Sequence, residues 1–278
     1  MRRNAGLWLL AIVITLASAV YQRMTGPTYP VSGEVQLPGS KVSYELLRSH
    51  GGSGDQPVTV TVPDTTVSGS LVWRRYKTDD PWTRQRLTRV DDKLTGALPH
   101  QPPAGKIEYH IEVTRNGETL MIPGDENVVT RFKGDVPRVV LFPHVLLMFL
   151  GMLISNRAGL ESLTRGSHMA LYTFLAAALI FAGGMIYGPI VQKYAFGTYW
   201  TGFPVGMDLT DNKTLISMIM WVIALVAIWK NSRPRWWVFA ASISTLVIFM
   251  IPHSLHGSEL KYADSPPPAT THSTISRR

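Results

Sequence analysis

Beyond Pro137 the chain holds four apolar segments, residues 139–155, 168–187, 214–229 and 236–251, without a single Asp, Glu, Lys or Arg among them. Each approaches the roughly 20 apolar residues that a helix needs to cross a bilayer. A chain of 278 residues has no soluble core large enough to surround four such segments. They are therefore expected to form an all-α four-helix transmembrane bundle over 137–260, with interfacial residues completing each crossing. A fifth apolar run, 5–21, follows Met1-Arg2-Arg3-Asn4. The arginine pair holds the amino end in the cytoplasm. Two readings of residues 1–22 stand side by side. Ala17-Ser18-Ala19 has the small-x-small pattern of a signal-peptide cleavage site, and the run is also close to the length of an uncut signal anchor.

Loop charge gives the orientation. Residues 156–167 and 230–235 carry Arg157, Arg165, Lys230, Arg233 and Arg235, whereas 188–213 carries Lys193 and Lys213 balanced by Asp208 and Asp211. Positive loops stay in the cytoplasm, so the long loop, the carboxyl tail and everything between the first run and Pro137 are expected outside. A multi-pass protein of a bacterial inner membrane with a periplasmic domain is the expectation. The basic balance of the chain, +8, belongs to this half, because residues 22–136 hold 14 basic and 14 acidic side chains. It reports orientation and is no nucleic-acid footprint. Membrane lipids are the first expected partner.

From Val31 to Lys133 the apolar pattern has a period of two. Val42-Tyr44-Leu46, Val58-Val60-Val62, Leu71-Trp73 and Ile107-Tyr109-Ile111-Val113 each place alternate side chains on one face. Pro38-Gly39, Gly51-Gly52-Ser53-Gly54, Pro63-Asp64, Pro102-Pro103 and Asn116-Gly117 punctuate the runs. The last is a two-residue hairpin signal, since both residues tolerate positive φ. Seven to nine short strands at this spacing predict an extracytoplasmic all-β sandwich over 28–136. No cysteine is present, so the domain has no disulfide and the chain no thiolate chemistry or Cys-ligated metal.

The stretch from Leu98 through Pro102-Pro103-Ala104-Gly105 to Tyr109 resembles the late-strand region of fibronectin-III or immunoglobulin-like domains, where a Pro/Gly corner leads into a strand with a core tyrosine. The resemblance covers about a dozen residues and implies an immunoglobulin/fibronectin-III-like sandwich. Residues 261–278, rich in Ser, Thr and Pro, are expected to be a disordered tail.

Candidate chemistry clusters at the outer ends of the helices. His144, Met148 and Met152 repeat at four-residue spacing and share a face. Ser242 and His253 fall within about 20° of one another around the last helix, and His256 follows. His144 and His253 are candidate axial ligands of a b-type haem, and His144, His253, His256 and Met148 a candidate copper set. The alternative is that His144 joins two helices by a hydrogen bond. The loop around Tyr194-Ala195-Phe196-Gly197-Thr198-Tyr199-Trp200 reads either as a lid or re-entrant segment, or as an aromatic belt at the headgroups. Asp208 is expected to cap the helix that follows. Gly184 and Gly188 form a small-xxx-small pair for close packing. Arg74, Arg75, Lys77, Arg84, Arg86 and Arg89 around Trp73 and Trp82 form either a docking face or a solvated strand face.

The chain has no nucleotide loop, Ser-His-Asp order, zincin motif or c-type haem motif. The expected function is a non-enzymatic accessory or assembly subunit whose β-domain meets an extracytoplasmic protein and whose bundle packs in a larger membrane complex. A small haem- or copper-binding redox protein is the second expectation. A transporter component is the third, because no segment carries a charged coupling residue.

Overall fold

The computed structural model describes residues 2–252 and 259–262 and separates into two units. One is built on Pro30–Lys133 together with residues 259–262; the other joins the amino-terminal helix to the residues from Gly134 onward.

The first unit contains β1 (Val31–Leu37), β2 (Ser40–Leu46), β3 (Ser49–Gly51), β4 (Gln56–Thr61), β5 (Ser68–Arg75), β6 (Thr83–Arg86), β7 (Thr88–Val90), β8 (Lys93–Leu98), β9 (Lys106–Arg115), β10 (Glu118–Ile122) and β11 (Val128–Lys133). One sheet runs β1-β2-β4-β8-β7 and the other β3-β11-β9-β5-β6, with β10 also on β9. β3 and β11 pair in parallel. β10 and β11 lie one after the other along the same edge of β9, against residues 111–115 and 106–109 respectively. More strands form than the seven to nine expected, because three-residue segments such as β3 and β7 are too short for alternation to reveal.

Alternation puts both sheets on one core. Val42, Val58, Val60 and Leu94 come from the first sheet, and Leu71, Trp73, Ile107, Tyr109, Ile111 and Phe132 from the second. Along β9, Ile107, Tyr109, Ile111 and Val113 are buried while the residues between them are not. Asn116 and Gly117, at φ 50° and 87°, form the β9–β10 hairpin, as their side chains predict. Tyr109 is fully buried and donates its hydroxyl hydrogen bond to the Leu47 carbonyl at 2.9 Å.

The second unit contains α1 (Arg2–Thr25), α2 (Arg138–Thr164), α3 (Met169–Ile180), a π-helical stretch (Phe181–Tyr187), α4 (Gly188–Phe196), α5 (Leu209–Trp229) and α6 (Pro234–Met250). The π stretch joins α3 to α4 as one continuous helix, Met169–Phe196. Four helices, Arg3–Thr25, Arg138–Thr164, Met169–Phe196 and Leu209–Trp229, are long and apolar enough to cross a membrane, and α6 is shorter. Small residues dominate where they meet: Ala158, Ala176, Ala177, Ala224 and Ala241 pack around Trp221 and Ile180. Small side chains allow the close backbone approach that helices in lipid require. Large apolar side chains such as Phe142, Phe174, Val222 and Trp236 point outward instead.

Three boundaries differ from expectation. α2 runs on to Thr164, so Arg157 and Glu161 are helical rather than in a loop. α4 carries its helix to Phe196, which shortens the outer loop to 197–208. Tyr262, assigned to the tail by composition, is buried on the β-unit. Residues 263–278 of the tail lie outside the described residues.

A fragment of residues 25–135 should fold by itself with a cooperative melt. Tyr109→Phe should cost it about 1 kcal/mol, the net worth of one buried hydrogen bond, as read from denaturant titration. The Arg75 guanidinium, hydrogen-bonded to Asp80, holds that carboxyl below its usual range despite burial. A carboxyl depressed on folding stabilises above its unfolded pKa and loses that contribution as pH falls through the folded value. Acid titration of the melt below about pH 4 should therefore be shallower in Asp80→Asn.

Candidate functional site

His144 sits just after Pro143 inside α2. Its Nδ1 lies 2.9 Å from the Gly183 carbonyl oxygen. A carbonyl only accepts, so in the neutral ring Nδ1 carries the proton and Nε2 keeps the lone pair. The acceptor belongs to the π stretch, whose i→i+5 turn is the kind of helix irregularity often found at functional sites. That turn also presses Gly183 and Gly184 onto their neighbours. A Cβ on Gly183 would lie 2.9 Å from Leu147 Cβ and from Met148 Sδ, and one on Gly184 would lie 2.5 Å from Thr214 Cγ2. His144 and Met148 thus both meet Gly183, as their four-residue spacing predicts, and Met148 also reaches Gly184. Gly188 is less crowded: its nearest neighbours would be the Gly183 oxygen at 3.7 Å and His144 Cε1 at 4.0 Å. The close-packing pair is therefore Gly183-Gly184 rather than Gly184 and Gly188. The adjacent glycine doublet was the sequence signal.

His253 and His256 lie outside the described residues. Among the described residues, no group of three or more His, Cys, Asp and Glu is placed to hold a metal ion. Ser242, on α6, donates to the Ser155 carbonyl of α2 at 2.9 Å.

At the same end of the helices, the loop 197–208 is folded over the start of α5. Asp208 caps it, accepting from the Thr210 amide at 2.8 Å and the Asp211 amide at 3.4 Å. The buried Asp211 carboxylate accepts from the Thr201 amide at 2.6 Å and the Gly202 amide at 3.1 Å. Asn212 Oδ1 accepts from the Phe203 amide at 2.7 Å, and Gln192 donates to the Thr201 hydroxyl at 2.7 Å. A loop held this firmly displays Phe203, Val205 and Met207 at 64%, 75% and 83% exposure.

Lys213 is buried, and its ammonium donates to the Ile251 carbonyl at 2.7 Å and to the Pro252 carbonyl at 3.4 Å. Gln22 of α1 donates to the Phe249 carbonyl and, at 3.3 Å, to that of Ile251. These carbonyls end α6 and lack intrahelical partners. Two other helices therefore satisfy the end of α6.

The opposite end of α2 holds an ion pair. Arg157 and Glu161 lie 2.6 Å apart with only 1% and 5% of their side chains exposed. Arg157 also stacks over Tyr172 at 4.8 Å and Trp8 at 5.5 Å, and donates to Asn4 Oδ1 at 2.7 Å. Glu161 accepts from the His168 amide at 3.1 Å, and Arg235 donates to the Ser162 carbonyl at 2.9 Å. The charge-free segments 139–155 and 214–229 stand as read, but α2 and α5 run past them and take in Arg157, Glu161, Asp211 and Lys213. The i,i+4 spacing of Arg157 and Glu161 was the available signal.

On the β-unit the expected basic face divides. Trp73 is core. Arg75 pairs with Asp80, and Arg89 donates to the Val62 and Val67 carbonyls, each at 2.7 Å. On the outer side of β5 and β9, Arg74 stacks on Trp82 at 4.5 Å and pairs with Glu108 at 2.7 Å. His110 lies 5.4 Å from the Trp82 ring, and Arg84 pairs with Glu112.

No family model matches the chain, and no curated protein sequence matches it. Among solved structures, the chain is similar to the one titled "Crystal structure of Br derivative BhCBM56", at 8% identity and a TM-score of 0.23, covering 37% of this chain and 92% of that one. A likeness this loose carries no argument about function.

Gly183→Ala should lower the melting temperature of the detergent-solubilised protein by several degrees, an overpacking cost of about 1–3 kcal/mol. Gly188→Ala should leave it nearly unchanged. Equal effects would contradict the packing described at the π stretch.

Proposed function

We propose that the chain is a non-enzymatic accessory or assembly protein of the cell membrane, presenting an immunoglobulin-like domain outside the cytoplasm. The observation that carries this reading is that the β-unit is joined to the helices three times. Residues 26–30 connect α1 to β1, residues 134–137 connect β11 to α2, and the chain beyond α6 returns to the β-unit at 259–262. Even fully extended at roughly 3.6 Å per residue, residues 251–258 reach about 30 Å, short of the 40–45 Å of a bilayer with its headgroups. Both ends of the segment from α2 to α6 then lie on one side of the membrane. That requires an even number of crossings, and α2, the Met169–Phe196 helix and α5 supply three. α6 is the fourth. Its length of 17 residues corresponds to about 25 Å, enough for a locally thinned bilayer.

Charge supports the sidedness. Arg2, Arg3, Arg165, Lys230, Arg233 and Arg235 all fall at the helix ends away from the β-unit connections. Hydrogen bonds from α2 to α1, such as Asn156 donating to the Thr15 hydroxyl at 2.9 Å, support an uncut anchor. Strand order supports the domain type. β2-β4-β8-β7 opposite β11-β9-β5, with β3 crossing over to pair in parallel with β11, follows the ABED and GFC arrangement of immunoglobulin domains. The exposed loop residues Phe203, Val205 and Met207, flanked by two long apolar helices, support the reading of that loop as an interfacial belt.

A second reading, a haem- or copper-binding redox protein, is favoured by one observation. A metal-bound histidine typically gives its other ring N–H to a carbonyl or carboxylate, and the Nδ1–Gly183 bond leaves His144 Nε2 in that state. His144 with His253 would supply two imidazoles to a b-type haem, and His144, His253, His256 and Met148 would supply imidazole and thioether donors to copper.

The two readings part on purification from native membranes in mild detergent. The accessory reading expects a colourless protein that co-migrates with partner polypeptides well above its own mass. A Soret band or stoichiometric copper, lost in His144→Ala while the fold persists, would replace it with the redox reading.

A further inference from the structure

Residues 259–262 rest on the β-unit through directed contacts at their two ends. The Glu259 carboxylate lies between two ammonium groups, 2.8 Å from Lys77 and hydrogen-bonded to Lys106. Burial alone would raise this carboxyl, but the two lysines outweigh it and hold it below its usual range. Three residues later the Tyr262 hydroxyl accepts from the Lys106 amide at 2.8 Å and donates to the Lys106 carbonyl at 3.1 Å. The Arg75 guanidinium, oriented by Asp80, covers the Tyr262 ring at 4.8 Å. Between these anchors the Leu260 amide donates to the Ala104 carbonyl at 3.1 Å, as an added strand residue would.

The surface is shaped for this occupant. A Cβ at Gly105 would lie 2.7 Å from the Tyr262 hydroxyl, so only glycine lets the phenol reach the Lys106 backbone. Leu260 and Lys261 leave their side chains partly or fully in the open. Selection therefore falls on the first and fourth positions of the segment and not on the middle two.

The geometry points to a peptide-recognition site on the β-unit, formed by Arg75, Lys77, Gly105 and Lys106. Its ligand is a segment with a carboxylate and a tyrosine three residues apart. The chain's own residues 259–262 occupy it in cis, and a free segment of the same chemistry competes for it. Charge-assisted hydrogen bonds and a cation–π contact supply the recognition. Tethering supplies the advantage of the resident segment, which sits at a high effective concentration near its site.

The test uses the full chain in detergent and a fluorescent peptide of residues 257–264. Glu259→Ala/Tyr262→Ala should release the tail and bind the peptide saturably, at least about ten-fold more tightly than the wild-type chain does. Adding Lys77→Ala and Lys106→Ala should abolish that binding, as should replacing the peptide's own tyrosine by alanine. No binding to the released variant, or equal binding to both proteins, overturns the proposal. A second measurement leaves both anchor residues in place. The chain has no cysteine, so Ala104→Cys with Leu260→Cys should give an intrachain disulfide whose yield falls when excess peptide is present during oxidation. No disulfide, or a yield that ignores the peptide, equally overturns it.

Discussion

In a helical unit surrounded by hydrocarbon, every backbone or side-chain polar group must find its partner inside the protein. Many polar residues of this unit follow that constraint, although the Ser155 hydroxyl and Arg157 Nε are buried without a hydrogen-bond partner among the described residues. Lys213 and Gln22 meet the terminal carbonyls of α6, Arg235 meets the end of α2, and Ser242 meets a carbonyl inside α2. His144 reaches the π stretch, where a carbonyl is turned toward α2. Asp211 does the converse, accepting the amides of the loop before α5. Most of these bonds link different helices or a helix and its loop. Polar side chains therefore set which helices are neighbours, while alanine and glycine set how near they come.

The same constraint explains the buried Arg157–Glu161 pair of the helices. Arg157 and Glu161 would be costly apart, since removing one partner leaves an uncompensated buried charge. Together with Asn4, Trp8 and Tyr172 they tie α1 and α3 to one end of α2. The β-unit buries one pair in the same way, Arg75–Asp80, and leaves others nearer its surface. Its ion pairs Arg74–Glu108, half-buried, and Arg84–Glu112, more exposed, cross between neighbouring strands on one face, and exposed pairs of this kind add little stability. Its stability resides in the core around Leu71, Ile107, Tyr109 and Phe132.

Period-two alternation and charge-free runs made both units legible from sequence, because each pattern follows directly from what the elements bury. Val58-Val60 and Ile107-Tyr109-Ile111 read as strands, and Asp208 as a cap, for that reason. Charges at helix ends were harder to place. Arg157 and Glu161 resemble a solvated loop until the helix is known to continue beneath them. Gly183 and Gly184 are packed more tightly than Gly188, and only the widened π turn explains why. Tyr262 was hidden for a different reason. Its partners lie more than 150 residues away, at Lys106 and Arg75, and a Ser/Thr/Pro-rich composition gives no hint of a distant site.

The proposal that α6 crosses the membrane, as the fourth crossing after α2, has a direct test. Single cysteines in this cysteine-free chain test it through labelling of sealed cells with a membrane-impermeant maleimide. Lys41→Cys, on an exposed strand position, should label at once. Ser232→Cys, between α5 and α6, should label only after permeabilisation. Immediate labelling of both would place the α5–α6 turn beside the β-unit and contradict the account.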